Sequence, residues 1–99
     1  MAINLLIDED LASHALETVI AAHNEAFASL RIDAIFVGKE GGPRCGIKDP
    51  ELLQWAADHG RVTLSRDEST LISHFENFLQ EGNDSPGLLL LRPRKLYPS

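Results

Sequence analysis

Four short strand-like segments, INLLI (3–7), DAIFVG (33–38), RVTLS (61–65) and GLLLL (87–91), recur along the chain, and helix-like periodicity fills most of the space between them. This alternation is the strongest constraint on the fold. A run that is apolar at almost every position suits a strand buried on both faces. Strands separated by helices join into a parallel sheet through right-handed crossovers. The expected architecture is therefore α/β and three-layered, a mostly parallel four-stranded sheet with helices on both faces. The element order reads β-α-β-loop-α-β-α-β.

The helical segments carry their own signals. From Asp10 onward, Leu16, Val19, Ile20 and His23 fall at i, i+3, i+4 and i+7, which predicts an inward stripe ending near Asn24. In the segment 49–60, Asp49 is expected as N-cap, Pro50 at the first helical position, Glu51 in the first turn and Gly60 just past the end. A third helix is expected within 66–80, with Leu71, His74, Phe75 and Phe78 on one side. Trp55 and the phenylalanines at helical spacing are core candidates. The stretch GKEGGPRCGIK (38–48) reads as a glycine-rich, solvated loop.

At 99 residues and 43% apolar, the chain has material for one packed core. The reading is a single domain over 1–92 followed by a short basic tail, 93–99. The longest apolar run, Leu88 to Leu91, is far too short to span a membrane, and the N-terminus lacks the basic start of a signal peptide. A cytoplasmic protein without a membrane partner is expected. The single cysteine, Cys45, has no partner for an intramolecular disulfide or a thiolate metal knuckle. Net charge is −6, and because Arg92, Arg94 and Lys95 lie near the end without an acid, the body is more acidic than the whole. That balance disfavours nucleic-acid binding through a broad cationic face, though bound metal ions can supply positive charge to an enzyme.

The first apolar run ends in Asp8, Glu9 and Asp10, adjacent like charges that repel one another. In a parallel sheet, ligands bind outside the carboxyl ends of the strands. Asp8 closes the first strand, Asp67 follows the third, and Asp49 opens the helix after the second, so all three fall on that edge. Hard oxygen donors from several strand ends suit Mg²⁺ or Mn²⁺, which bind carboxylate and water and leave positions for phosphate oxygens. Each acid also has a structural reading: Asp49 and Asp67 as helix caps, Glu9 and Asp10 as first-turn residues favoured by the helix dipole. Lys39, Arg44 and Lys48 in the loop, with Arg66 at the end of the third strand, are the cations placed to meet substrate phosphates. His14, His23, His59 and His74 show no zinc-binding spacing, and His23 and His59 sit near helix C-termini.

The segments LLIDEDL (5–11), KDPELLQWAADHGRVTLSRD (48–67) and SPGLLLLRP (85–93) together resemble the short PIN-like domain family, relatives of the VapC-type toxins of bacterial toxin–antitoxin pairs. The resemblance runs through about nine tenths of the chain. It implies metal-dependent cleavage of RNA phosphodiesters by a carboxylate cluster, with Asp8, Asp49 and Asp67 catalytic and the same acids plus Glu9 holding Mg²⁺ or Mn²⁺. It also implies a small antitoxin partner and often a homodimer. Asp8, Glu9 and Leu11 match the family's Asp-Glu-Asn-Leu opening, with Asp10 replacing asparagine, and Ser65, Arg66 and Asp67 meet its Thr-x-Asp. Ser69 and Thr70 stand where the family often has a further aspartate and an aromatic, which removes one acid from the implied ligand set.

Competing readings remain. Asp8-Glu9-Asp10 satisfies the Asp-x-Asp of haloacid-dehalogenase-type phosphatases, but Leu11-Ala12 replaces the Gly-Thr continuation. Response-regulator receivers also carry adjacent acids there, but need a strand-end lysine where this chain has Arg92-Pro93. A PIN-like domain that binds protein or RNA without cutting is the non-enzymatic alternative, motivated by Ser69.

Overall fold

The computed structural model describes residues 2–9, 11, 13–66 and 69–91. Four strands and three helices alternate as β1 (Ala2–Ile7), α1 (His14–Ala26), β2 (Arg31–Phe36), α2 (Asp49–Asp58), β3 (Val62–Arg66), α3 (Ser69–Gln80) and β4 (Leu88–Leu91). All strand pairs are parallel, in the order β2-β1-β3-β4. The expected α/β architecture is what the chain adopts, with helices on both faces of the sheet.

The strand order explains the layers. The chain leaves β1 toward β2 through α1 and then returns across β1 to β3 through α2, so right-handed crossovers put α1 and α2 on opposite faces. Continuing in the same direction, α3 joins α2. Strand alternation sorts the apolar residues accordingly. Leu5, Ile7 and Leu64 face α1 and meet Leu16, Ile20 and Phe36. Leu6 points the other way, toward Val37, Leu52, Ala56 and the partly buried Trp55. Beneath α3, Leu53, Leu71 and Phe78 pack with Phe75, Leu88 and Leu90. Burying a leucine or isoleucine completely contributes about 1.5–3 kcal/mol, so Leu6, Ile7, Leu52, Leu53 and Leu71 form the energetic centre.

Several local expectations are corrected. α1 starts at His14 with Ser13 as N-cap, its Oγ accepting from Leu16 N at 3.1 Å; a start at Asp10 lies outside the described residues. Val19 is 63% exposed, on the flank of the stripe formed by Leu16 and Ile20. Lys48, with extended backbone, is the N-cap of α2, which moves Asp49 to the first helical position and Pro50 to the second, and no side-chain capping bond forms there. Gly60, at φ +64°, follows the C-cap His59 and ends the helix as its sequence position predicts.

Two side chains fasten the sheet in ways no local pattern announces. Arg61, just before β3, donates to the carbonyls of Leu5 at 3.1 Å and Asp33 at 2.8 Å and to Asp33 Oδ1 at 3.2 Å, tying three neighbouring strand segments together. Asn24 on α1 accepts from Ile32 N at 2.7 Å and donates to Ile32 O at 2.9 Å. Its amide thus occupies both backbone groups of one residue on the outer edge of β2.

Among the described residues, no helix is long and apolar enough to cross a membrane. The basic tail expected at 93–99 lies outside the described residues.

Candidate active site at the carboxyl edge

The direction of winding reverses between β1 and β3, and that is where an open parallel sheet leaves a crevice at its carboxyl edge. Asp8 is the first residue past β1. Its backbone N–H donates to Leu64 O at 2.9 Å, continuing the pairing of β1 with β3 for one more step. The step brings Asp8 beside Ser65, which is buried at 1% exposure. Ser65 Oγ donates to Asp8 Oδ2 at 2.7 Å, and the following amide, Glu9 N, donates to Asp8 Oδ1 at 2.8 Å. One bond to each oxygen fixes the plane of the carboxylate. These two bonds orient Asp8 at the carboxyl edge.

Glu9 looks elsewhere. Its Oε2 accepts from Cys45 Sγ at 3.0 Å and its Oε1 from Gly46 N at 3.2 Å. Both partners belong to the loop between β2 and α2, which is folded rather than loose. Gly38 N donates to Pro43 O at 2.9 Å, Gly42 N to Lys39 O at 3.0 Å, and Ile47 N to Arg44 O at 3.2 Å. Gly42 is required by close approach, because a Cβ there would stand 2.3 Å from Phe36 O. The loop is solvated, as its sequence suggests, with most of its residues exposed, and it is also ordered as a series of turns against the end of β2.

The hydrogen bond from Cys45 to Glu9, and then the glutamate's charge, push the thiol above its ordinary range. A raised thiol pKa keeps sulfur protonated and weakly nucleophilic at neutral pH, so the exposed cysteine is poorly suited to nucleophilic catalysis.

The cations expected to meet phosphate are distributed unevenly. Arg44 pairs with Glu51 at 3.0 Å, and Lys39 lies 3.8 Å from Glu17. Both pairs are exposed, and such pairs hold their partners weakly, by about 0–1 kcal/mol. Lys48 is exposed at the start of α2. Arg66 is also exposed, but strand alternation sends it to the face opposite Ser65.

Asp8 and Glu9 therefore stand together in sequence yet serve different neighbours, and Asp49 opens α2 on the same edge. Among the described residues, no three acidic, histidine or cysteine side chains gather closely enough to share an ion. Asp67, expected across the crevice from Asp8, lies outside the described residues, as does Asp10. The described part of the edge thus supplies one oriented hard donor, Asp8, whose chemistry fits Mg²⁺ or Mn²⁺. Ser65 as the partner that orients Asp8 has no signal in the sequence, since Arg61 and Thr63 are equally polar within RVTLS. A cavity of about 400 Å³ lies between α1 and β2, lined by Glu17, Ile20, Asn24, Arg31 and Phe36 among others, and includes none of the predicted site acids.

Comparison of the chain with protein-family models, with curated proteins and with solved structures yields no match.

Proposed function

We propose that the carboxyl edge between β1 and β3 is the active site of a metal-dependent ribonuclease of the PIN-like kind, acting as the toxin of a type II toxin–antitoxin pair. The observation that carries the reading is Asp8, a carboxylate at the winding reversal of a parallel sheet, fixed at both oxygens by Ser65 and Glu9 N–H.

In this reading Asp8, Asp49 and Asp67 are the donors for Mg²⁺ or Mn²⁺, with Glu9 beside them. Such an ion, when bound, lowers the pKa of a coordinated water and offsets charge on the phosphate oxygens. The protein's contribution is positional. Ser65 keeps one oxygen of Asp8 in place, and the amide of Glu9 keeps the other. Arg44 and Lys48 are available to the RNA backbone, since the exposed pair between Arg44 and Glu51 yields readily to a phosphate. A small antitoxin would neutralise the edge by inserting an Arg or Lys.

The test is cleavage of single-stranded RNA and transfer RNA by the purified protein, with and without Mg²⁺ or Mn²⁺, beside Asp8→Asn prepared identically. The expected result is metal-dependent cutting that falls by more than about a hundredfold in the variant, beyond the loss typical of removing only an outer partner. Equal cutting by both proteins would overturn the assignment of Asp8.

One observation favours a second reading, a PIN-like domain that binds protein or RNA without cutting. Both oxygens of Glu9 are engaged by the loop, and Ser69 opens α3 where the resembled family often has an acid. A folded protein that binds RNA but leaves it intact with either metal would support it.

A further inference from the structure

Hydrogen bonds from one side chain link the end of β1 to the loop after β2. Glu9 spans the gap, its Oε2 accepting from Cys45 Sγ and its Oε1 from Gly46 N, while its own N–H orients Asp8. On the far side, Arg44 is tied to Glu51 in the first turn of α2. A continuous chain of polar bonds therefore runs from Ser65 through Asp8 and Glu9 to the loop and on to α2. The loop's turns and the close approach of Gly42 to Phe36 make it a compact body. Glu9 adds two hydrogen bonds between that body and the end of β1, beside the packing of Ile47 on the core cluster of Leu6 and Val37.

We propose that Glu9 is a positioning residue: it fastens the 38–48 loop to the end of β1 and thereby holds Arg44 and Lys48 beside Asp8 to receive the phosphates of a polynucleotide. The functional half rests on the ribonuclease reading above; the structural half does not. The role follows from the geometry of acceptance. A carboxylate with both oxygens turned toward the loop presents paired acceptors to two loop donors, which a glutamine carbonyl can replace in part and an alanine cannot. A metal-ligand role for Glu9 makes the opposite prediction, because an amide is a poor substitute for a carboxylate toward a hard divalent cation.

The experiment compares the unaltered protein with Glu9→Ala and Glu9→Gln in two measurements. The first is amide hydrogen exchange over residues 44–47 without added metal. The second is binding of a fluorescein-labelled single-stranded oligoribonucleotide, with Ca²⁺ replacing Mg²⁺ so that the RNA stays intact. Loss of a net hydrogen bond changes local opening by roughly two- to tenfold. Glu9→Ala is expected to speed exchange at Gly46 by that factor and weaken RNA binding similarly, with Glu9→Gln close to the unaltered protein in both. Unchanged exchange in Glu9→Ala overturns the fastening role. Faster exchange with unchanged RNA affinity overturns the placement of the cations. Equal loss of RNA binding in both variants, with exchange unchanged, makes Glu9 a metal ligand and overturns the proposal. If no RNA binds to any of the three proteins, the placement half falls together with the ribonuclease reading, and the exchange measurement alone decides the fastening.

Discussion

Ser65 and Cys45 show how differently one acid edge treats its neighbours. Ser65 is enclosed, so its hydroxyl must find a partner, and Asp8 supplies one at 2.7 Å. Hydrogen bonds to charged groups contribute about 1.5–3 kcal/mol, and partial exposure of Asp8 reduces this. Ser65→Ala is accordingly expected to lower stability by roughly 1–2 kcal/mol in urea unfolding and, on the proposed ribonuclease reading, RNA cleavage by about ten- to a hundredfold, the usual loss for an outer partner. An activity equal to that of the unaltered protein would separate Ser65 from the chemistry. Cys45, by contrast, is exposed and donates outward to Glu9, which raises its pKa. A raised pKa means less thiolate at a given pH, so alkylation by iodoacetamide near pH 8 should be slower than for a free thiol. Replacing Glu9 by Gln removes the negative charge and is expected to move the midpoint of the alkylation rate profile to lower pH. A profile that does not move would exclude Glu9 as the cause.

At the scale of elements, the two fastenings found away from the site are the informative ones. Arg61 reaches three acceptors on two strands with a planar fork, and its side chain is only 12% exposed. Lysine carries the charge but cannot span those acceptors in one plane. Arg61→Lys should therefore destabilise by about 0.5–1.5 kcal/mol, the net worth of a lost hydrogen bond, measured as a lower urea midpoint with unchanged slope. Retention of the full midpoint would show that charge alone suffices. The alternation of apolar runs and helical periods made the elements and their order legible, because burial writes a period of two or 3.6 into contiguous residues. Arg61, Asn24 and Glu9 were not legible. Their partners lie 28 and 56, 8, and 36 and 37 positions away, and several are backbone groups, which every sequence supplies equally. Asp49 was misplaced by one position because Asp-Pro is as compatible with the first two helical residues as with a cap and its successor. For the site, Asp8 was legible as a strand-end acid, whereas its orientation by Ser65 required the register of β1 against β3.

For the molecule as a whole, the two edges of the sheet are unequal. At β2, Asn24 satisfies both backbone groups of Ile32, and the strand carries Arg31 and Asp33. Beyond β4, no strand pairs among the described residues, and its four residues are all leucine, with Leu89 and Leu91 about half exposed. Natural sheets use charge to discourage edge pairing, and β4 has none. Leu89→Lys is expected to leave the unfolding midpoint almost unchanged, within about 0.5 kcal/mol as for most surface changes, while reducing self-association in sedimentation at high concentration. Asn24→Ala should do the reverse, lowering stability by about 1–3 kcal/mol through the unsatisfied Ile32 groups and increasing association. Identical sedimentation of all three proteins would assign neither edge a part in assembly.

The guard that Asn24 places on β2 has a further consequence, best put in the language of polymerisation. A sheet with two open edges is a bifunctional monomer, able to extend into a fibre one copy at a time. With Ile32 capped by Asn24, and with no strand paired beyond β4 among the described residues, strand addition is opposed at one position of β2 and meets no such guard on β4. Pairing of β4 with β4 of a second copy about a two-fold axis would join two unguarded edges and leave β2, with its Asn24 cap, on the outside of the pair.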